Sequence, residues 1–324
     1  MGTSLRAEEA TEAIDAVIDR IGSAVIVERE FLETVVTGLL ARGHVLLEDV
    51  PGTGKTLTAV ALGDALDLTY NRIQFTPDLL PSDITGTHVY DEHEGEFRFQ
   101  RGPVFANIVL ADEINRAPPK TQSALLEAMD EGQVTVGGET YDLPEPFFVI
   151  ATQNPIEQEG TFQLPEAQRD RFVVKTSMGY PDRAGELELI DRRAGRTAMM
   201  PTVESVVTAE EVTQLRSLPE HVDMKINVRE YLVDLARASR DDPRVDVGVS
   251  PRGIQRFFEA ARARALVAGR TYVAPDDVKA IAPAVMTHRL VLTSEAGIRN
   301  VEASDVVADV LNTVEVPGAT PEAE

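Results

Sequence analysis

The sequence predicts an α/β protein, a doubly wound parallel sheet between helices, followed by a smaller all-helical domain. Three observations lead there. Short apolar runs that end in turn or polar residues (His44 to Glu48, Ile108 to Ala111, Phe147 to Ala151) alternate with stretches of helical periodicity, as buried parallel strands do. After Tyr180-Pro181 the strand signals nearly vanish. The 324 residues, 43% hydrophobic and 26% charged, suffice for one large or two modest domains with a packed core.

In chain order, residues 7 to 42 read as helices, with Ile14, Val17, Ile18 and Ile21 on one stripe and Phe31, Val35 and Leu39 on another. The run His44 to Glu48 is a strand that ends in a Pro/Gly loop, and Leu57 to Leu66 resumes helical spacing. Between the second and third strands, Val134 and Val136 alternate, Gly137-Gly138 supplies a two-residue turn, and Tyr141 and Leu143 return. That is a hairpin over about 133–143. An α/β core is expected over 1–181 and a helical domain over 182–314. The helices of that domain are expected at Ala184 to Arg193, Ala209 to Leu218, Val228 to Arg240, Arg252 to Ala268 and Pro275 to Met286. The last stretch, 315–324, reads as a disordered tail.

A net charge of −23 argues against a protein whose main task is gripping nucleic-acid phosphates. The cations are skewed too: the only lysines are Lys55, Lys120, Lys175, Lys225 and Lys279, against 26 arginines. Acid-rich and lysine-poor composition points to a protein adapted to multimolar salt, as from a halophilic archaeon, where carboxylates hold hydrated cations and their repulsion is screened. The absence of cysteine excludes disulfides, thiolate nucleophiles and Cys-ligated zinc. The opening residues lack an apolar h-region and no run approaches a membrane span, so a soluble, cytoplasmic protein with no membrane partner is expected.

Three segments carry the chemistry. In Asp49-Val50-Pro51-Gly52-Thr53-Gly54-Lys55-Thr56, a glycine-rich loop between strand and helix turns backbone N–H groups toward phosphates at the positive end of a helix. Lys55 would reach the β and γ phosphates and Thr56 would ligate Mg²⁺, although the strict pattern wants Gly where Asp49 stands. The strand Ile108 to Ala111 delivers Asp112 and Glu113 at its C-terminal end, one to hold the metal and one to polarise water. Asn154, ending the third strand, can orient that water. His88 and His93, near Asp91, Glu92 and Glu94, are read as part of a charged loop, not a metal site.

The run Leu110 to Met129 (LADEINRAPPKTQSALLEAM) resembles the signature of the MoxR branch of AAA+ ATPases, in the helix-2-insert clade. So do GHVLLEDVPGTGKT at 43–56, ATQNPIEQEGTFQLPEAQRDRF at 151–172, and SPRG followed by an Ala/Arg-rich helix at 250–268. The similarity spans roughly residues 20–295, and Asp49 is an ordinary occupant in that family. The resemblance implies an AAA+ P-loop NTPase core followed by a small helical lid, binding ATP or ADP with Mg²⁺. Pro51, Gly52, Thr53, Gly54, Lys55, Thr56 and Asp112 would form the nucleotide site, with Thr56 and Asp112 on the metal. Glu113 would be the catalytic acid and Asn154 the sensor. Arg171 would be a finger reaching a neighbouring subunit, and Arg252 the second sensor contacting the γ-phosphate from the lid.

The resemblance further implies that residues 78–103 split the second core helix as an insert and, with the 133–143 hairpin, face the pore of a homo-oligomeric ring, a hexamer. The ring would remodel or mature client proteins, inserting metals or cofactors or assembling complexes, with a von Willebrand factor A domain protein as partner. The alternatives are a DNA-stimulated, helicase-like motor and a magnesium-chelatase-like motor subunit.

Overall fold

The computed structural model describes residues 7–50, 52–154, 161–162, 164–195 and 203–318. Two amphipathic helices, α1 (Ala7–Ala24) and α2 (Arg29–Leu40), lead into β1 (Val45–Glu48), and the glycine loop is followed by α3 (Lys55–Ala65). Next come β2 (Tyr70–Gln74), the short α4 (Pro81–Thr85), the hairpin β3 (Gly86–Asp91) and β4 (Glu96–Arg101), and then β5 (Ile108–Asp112). Helix α5 (Pro119–Glu131), the hairpin β6 (Gln133–Val136) and β7 (Glu139–Asp142), strand β8 (Phe148–Gln153), α6 (Glu166–Arg169) and β9 (Val174–Thr176) complete the core.

The five-stranded sheet has the order β2-β5-β8-β1-β9, with every pairing parallel. Alternation along the central strands divides their side chains between two layers. Val45, Leu47, Ile108, Leu110, Phe148 and Ile150 pack toward α1, α2 and α3. Leu46, Val109, Ala111, Val149 and Ala151 pack toward α5 and the hairpins. Burial on both faces is why these strands are continuous apolar runs. At their N-terminal edge His44 is fully buried, accepting from the Val149 N–H at Nδ1 (3.0 Å) and meeting the Met129 carbonyl at Nε2 (3.1 Å).

Burial, helped by Arg216 and Arg256, pulls His44 from 6.5 down to about 4. Because the folded value lies below the unfolded one, this term is fully present above pH 6.5 and is lost as pH falls toward 4. Its full size is about 3 kcal/mol. His44→Gln, measured against the unmutated chain by urea denaturation at pH 7.5 and pH 4.5, is therefore expected to show a shallower loss of stability on acidification. Equal slopes would remove His44 as a source of the acid sensitivity.

The segment 78–103 departs from expectation. It holds one five-residue helix, α4, and an antiparallel hairpin, and no helix follows the hairpin before β5, so the segment inserts a β-hairpin and does not divide a long helix. The cause is the period-2 pattern of His88/Tyr90 and Phe97/Phe99. The base of the hairpin is pinched: a Cβ on Gly86, whose φ is +94°, would sit 2.2 Å from the Gln100 carbonyl. The β6–β7 turn uses Gly137 (φ +64°) and Gly138 (φ +89°), the positive pair a two-residue hairpin turn requires. The two hairpins meet where Phe99 stacks on Tyr141 (centroids 4.0 Å apart, 19° between planes) and Tyr141 Oη hydrogen-bonds His88 Nε2 at 3.3 Å.

The second domain contains α7 (Arg183–Gly195), α8 (Ala209–Leu215), α9 (Ile226–Asp241), α10 (Pro251–Val267), α11 (Pro275–Met286), α12 (Ser294–Ile298) and α13 (Ala303–Thr313). It also contains a ribbon the sequence did not reveal, β10 (Val245–Val247) against β11 (Val291–Leu292). Ser250 caps α10, its hydroxyl accepting from the Gly253 N–H at 3.0 Å. Helix α10 packs along α2, and Arg289, 3% exposed, crosses back to the core. No helix among the described residues is long and apolar enough to cross a membrane.

Candidate nucleotide-binding site

The phosphate-type loop, the paired acids and Asn154 all lie where strands β1, β5 and β8 end, on the C-terminal edge of the sheet. In the loop, Gly52 (φ +86°) and Gly54 (φ +101°) adopt left-handed conformations, and Gly54 is the N-cap of α3. Thr53, Lys55 and Thr56 are half-buried around that turn, and Pro51 lies outside the described residues. Lys55 Nζ donates to the carbonyls of Val50 (2.9 Å) and Asp49 (3.1 Å), so the ammonium bridges back to the start of the loop.

Asp49 has a task a glycine could not perform. Its buried carboxylate accepts from the Ser177 hydroxyl (2.7 Å) and the N–H groups of Met178 (2.7 Å) and Gly179 (3.1 Å). The start of the loop is thereby tied to the exit of β9, and Met178 lies against Gly54 and Thr58. Beside it a cavity of about 830 Å³ opens between the start of α2, the end of β9 and the second domain, with Glu28, Phe31 and Met178 in its walls.

Asp112 is 9% exposed and receives the Thr152 hydroxyl at Oδ1 (2.7 Å) and Arg72 at Oδ2, from Nη2 at 2.5 Å and Nε at 3.2 Å. Thr152 Oγ1 in turn accepts the Glu113 N–H at 2.8 Å, fixing both acids from the neighbouring strand. Glu113 sits in a left-handed conformation (φ +57°), with Oε2 3.0 Å from Arg116 Nε and accepting from Gln74 Nε2 at 2.9 Å. A non-glycine residue held there costs on the order of 1 kcal/mol and is retained where the surroundings demand it. Asn154, 7% exposed, follows β8 directly. Sequence reasoning missed Thr152, Arg72 and Gln74; the i, i+2 spacing of Arg72 and Gln74 on β2 was the available signal.

A hydroxyl on the first turn of α3, a carboxylate at the end of β5 and left-handed glycines, whose conformation lets backbone N–H groups turn toward an anion, form a hard-oxygen and phosphate donor set. That set suits Mg²⁺ carried on nucleotide phosphates.

The two arginines lie elsewhere. Arg171 precedes β9 and Asp130 ends α5, next to Met129, whose carbonyl meets His44 at the start of β1. Both are therefore on the N-terminal edge of the sheet. Arg171 Nε lies 3.1 Å from Asp130 Oδ2, and Arg252 Nη2 lies 3.0 Å from Asp130 Oδ1. Within its own chain Arg252 is thus not brought to the phosphate loop. The reason is the packing of α10 along α2, which carries the start of α10 beneath the sheet to the end of α5. Arg169, by contrast, lines the large cavity, with its Nε buried and lacking a hydrogen-bond partner among the described residues.

Residues 44–174 match the profile of the ATPase family associated with various cellular activities, AAA, and residues 237–310 match an AAA lid domain. The chain is 42% identical to chaperone MoxR1 of Mycobacterium tuberculosis, over 94% of this chain and 82% of that one. It is 46% identical to the uncharacterised protein YeaC of Bacillus subtilis, over 93% of each. The crystal structure of a candidate ATPase from Cytophaga hutchinsonii superposes with a TM-score of 0.89 and 38% identity, covering 96% of this chain and 97% of that one. A glycine loop and paired acids on one sheet edge, a helical lid behind them, and relatives this similar along nine-tenths of the sequence mean that the chain belongs to the MoxR family of AAA+ ATPases, and is an ATPase.

Proposed function

We propose that the protein hydrolyses ATP with Mg²⁺ between the subunits of a hexameric ring and uses the cycle to remodel or mature client proteins. One observation carries the reading. The phosphate loop and acids occupy one sheet edge, and Arg171 and Arg252 occupy the other, a strand length away at about 3.3 Å per residue. Within one chain these halves do not meet; head-to-tail copies unite them. Lys55 and the loop N–H groups bind the phosphates, and the adenosine end takes the cavity beside Met178. Thr56 and Asp112 would hold Mg²⁺, which supplies charge neutralisation on the phosphate oxygens. Glu113 accepts a proton as the water oxygen bonds to the γ-phosphorus and the bond to the bridging oxygen breaks, while Asn154 orients the water. Arg171 and Arg252 from the neighbour offset the charge that develops.

Lys55→Ala and Arg171→Ala subunits should each be inactive alone. Mixed, they should regain a quarter or so of wild-type turnover, because a Lys55→Ala subunit can lend its arginines to a neighbour with an intact loop. A mixture as inactive as its parts would overturn the shared site.

The hairpins favour a polypeptide client. Tyr90 (52% exposed) and Phe97 (70% exposed) pair edge to face at the end of β3–β4, a surface left uncovered by the described residues. We assign this tip to the client-facing side of the ring, with a von Willebrand factor A domain protein as adaptor. MoxR1, the mycobacterial relative, is named a chaperone. The charge of −23 supports a cytoplasm at multimolar salt. Thermal melting should then shift upward by 10 °C or more between 0.1 M and 3 M KCl as the self-repulsion is screened, and a salt-independent midpoint would remove the halophilic reading.

A further inference from the structure

We infer that Asp130 is a positioning residue of the shared site, a single carboxylate that sets Arg171 and Arg252 as a pair for the neighbouring subunit's γ-phosphate. The inference rests on the trans reading above and goes further, to a residue that itself touches no nucleotide.

The geometry supplies the argument. Asp130 divides its oxygens, Oδ2 to Arg171 Nε at 3.1 Å and Oδ1 to Arg252 Nη2 at 3.0 Å. The three groups come from three separate elements, the end of α5, the turn before β9 and the first turn of α10, so the carboxylate also joins core to lid. A guanidinium has five N–H donors, and each arginine meets Asp130 through one nitrogen, leaving others for a phosphate. Asp130 therefore orients the pair without using it up.

Charge favours the same reading. Arg42, Arg216 and Arg256 gather at this edge, and among the described residues neither Arg42 nor Arg216 has a carboxylate within salt-bridge distance. Burial beside Arg42 pulls Arg216 down to about 10. Glu259 pairs with Arg256 here and Glu145 acts on Arg216, yet the arginines of this edge outnumber its acids in a chain of net charge −23. Two long arginines aimed at one spot repel each other and lose rotamer freedom. The carboxylate between them offsets both costs, so the pair is ordered before a phosphate arrives.

Asp130 is 24% exposed in its side chain, so Asp130→Asn removes the charge with little change in shape. In the full-length assembly, with Mg²⁺-ATP, Asp130→Asn is expected to lower kcat by about 10- to 100-fold, the scale of a misplaced catalytic group. KM, the affinity for a fluorescent ADP analogue and the oligomeric state should stay within 3-fold of wild type. Asp130→Glu should recover at least a third of the activity. A kcat for Asp130→Asn within 2-fold of wild type, or above it, overturns the inference. If Arg171→Ala and Arg252→Ala lose turnover and Asp130→Asn does not, Asp130 alone is misassigned. If Arg171→Ala keeps full turnover, the trans reading itself has failed.

Discussion

Glu113→Gln is expected to bind ATP with wild-type affinity and to turn it over at least 100-fold more slowly. The residue is held from three directions: Thr152 fixes its backbone N–H, Gln74 donates to Oε2, and Arg116 lies 3.0 Å from the same oxygen. Glutamine keeps the length and one acceptor, so Arg116 retains a partner and the left-handed backbone at φ +57° is undisturbed. What is lost is the anionic oxygen that, in the proposed mechanism, accepts a proton from water. General-base contributions of this kind amount to 10²–10⁴-fold, or about 3–5 kcal/mol of barrier. Binding is spared because Lys55 and the loop N–H groups belong to a different element. Steady-state phosphate release together with equilibrium binding of a fluorescent nucleotide separates the two effects. Equal turnover in wild type and variant would mean that Glu113 is not the base.

The parts of this site that were legible in sequence share one property: each is contiguous at the end of a strand buried on both faces. Lys55 and Thr56 follow β1, Asp112 and Glu113 end β5, and Asn154 follows β8, so the strand signal and the chemical signal reinforce each other. Strand β2 escaped because its polar members serve the site: Arg72 and Gln74 hold Asp112 and Glu113, and that service breaks the apolar pattern that marks a strand. Strands β3 and β4 carry alternation in a segment whose charges suggested a loop. Thr152 looked like one more strand residue until β5 was placed beside it. The location of Arg252 was out of reach for a similar reason. Its motif names a residue type at a helix start, but which sheet edge that start meets is decided by how α10 lies on α2, a long-range packing outcome with no local signature. The position of a group was readable where its motif is local; its partner was not where the fold creates the proximity.

Arg289→Leu is expected to lower the melting temperature by about 10 °C and to uncouple lid from core. Arg289 is 3% exposed and makes more contacts than any surface pair requires: Nε donates to Asp170 Oδ1 at 2.7 Å, Nη2 to the Phe172 carbonyl at 2.8 Å, and Nη1 to the Val173 carbonyl at 3.2 Å and to Val285. Burial pulls its pKa down to about 10 while Asp170 opposes that fall, so it is a cation at any physiological pH. Leucine fills most of the volume and leaves Asp170, 17% exposed in its side chain, without its counter-ion; the Val173 carbonyl loses its Arg289 donor, and the Phe172 carbonyl keeps only His288 Nε2, 3.1 Å away. Removing one member of a buried pair costs about 3–5 kcal/mol, a large share of the 5–15 kcal/mol that holds a domain together. Arg289→Lys should recover less than half of the loss, since a single ammonium cannot span Asp170 and the carbonyls at once. Calorimetry of the two variants tests the anchor, and a shift below 2 °C in Arg289→Leu would show that the lid is held by its apolar contacts alone. The consequence reaches the proposed shared site, because Asp170 is the residue before Arg171. Loosening Arg289 frees the turn that presents Arg171, and it also frees the lid that presents Arg252. Turnover in Arg289→Leu should therefore fall well below that of the wild type even at temperatures where both are folded.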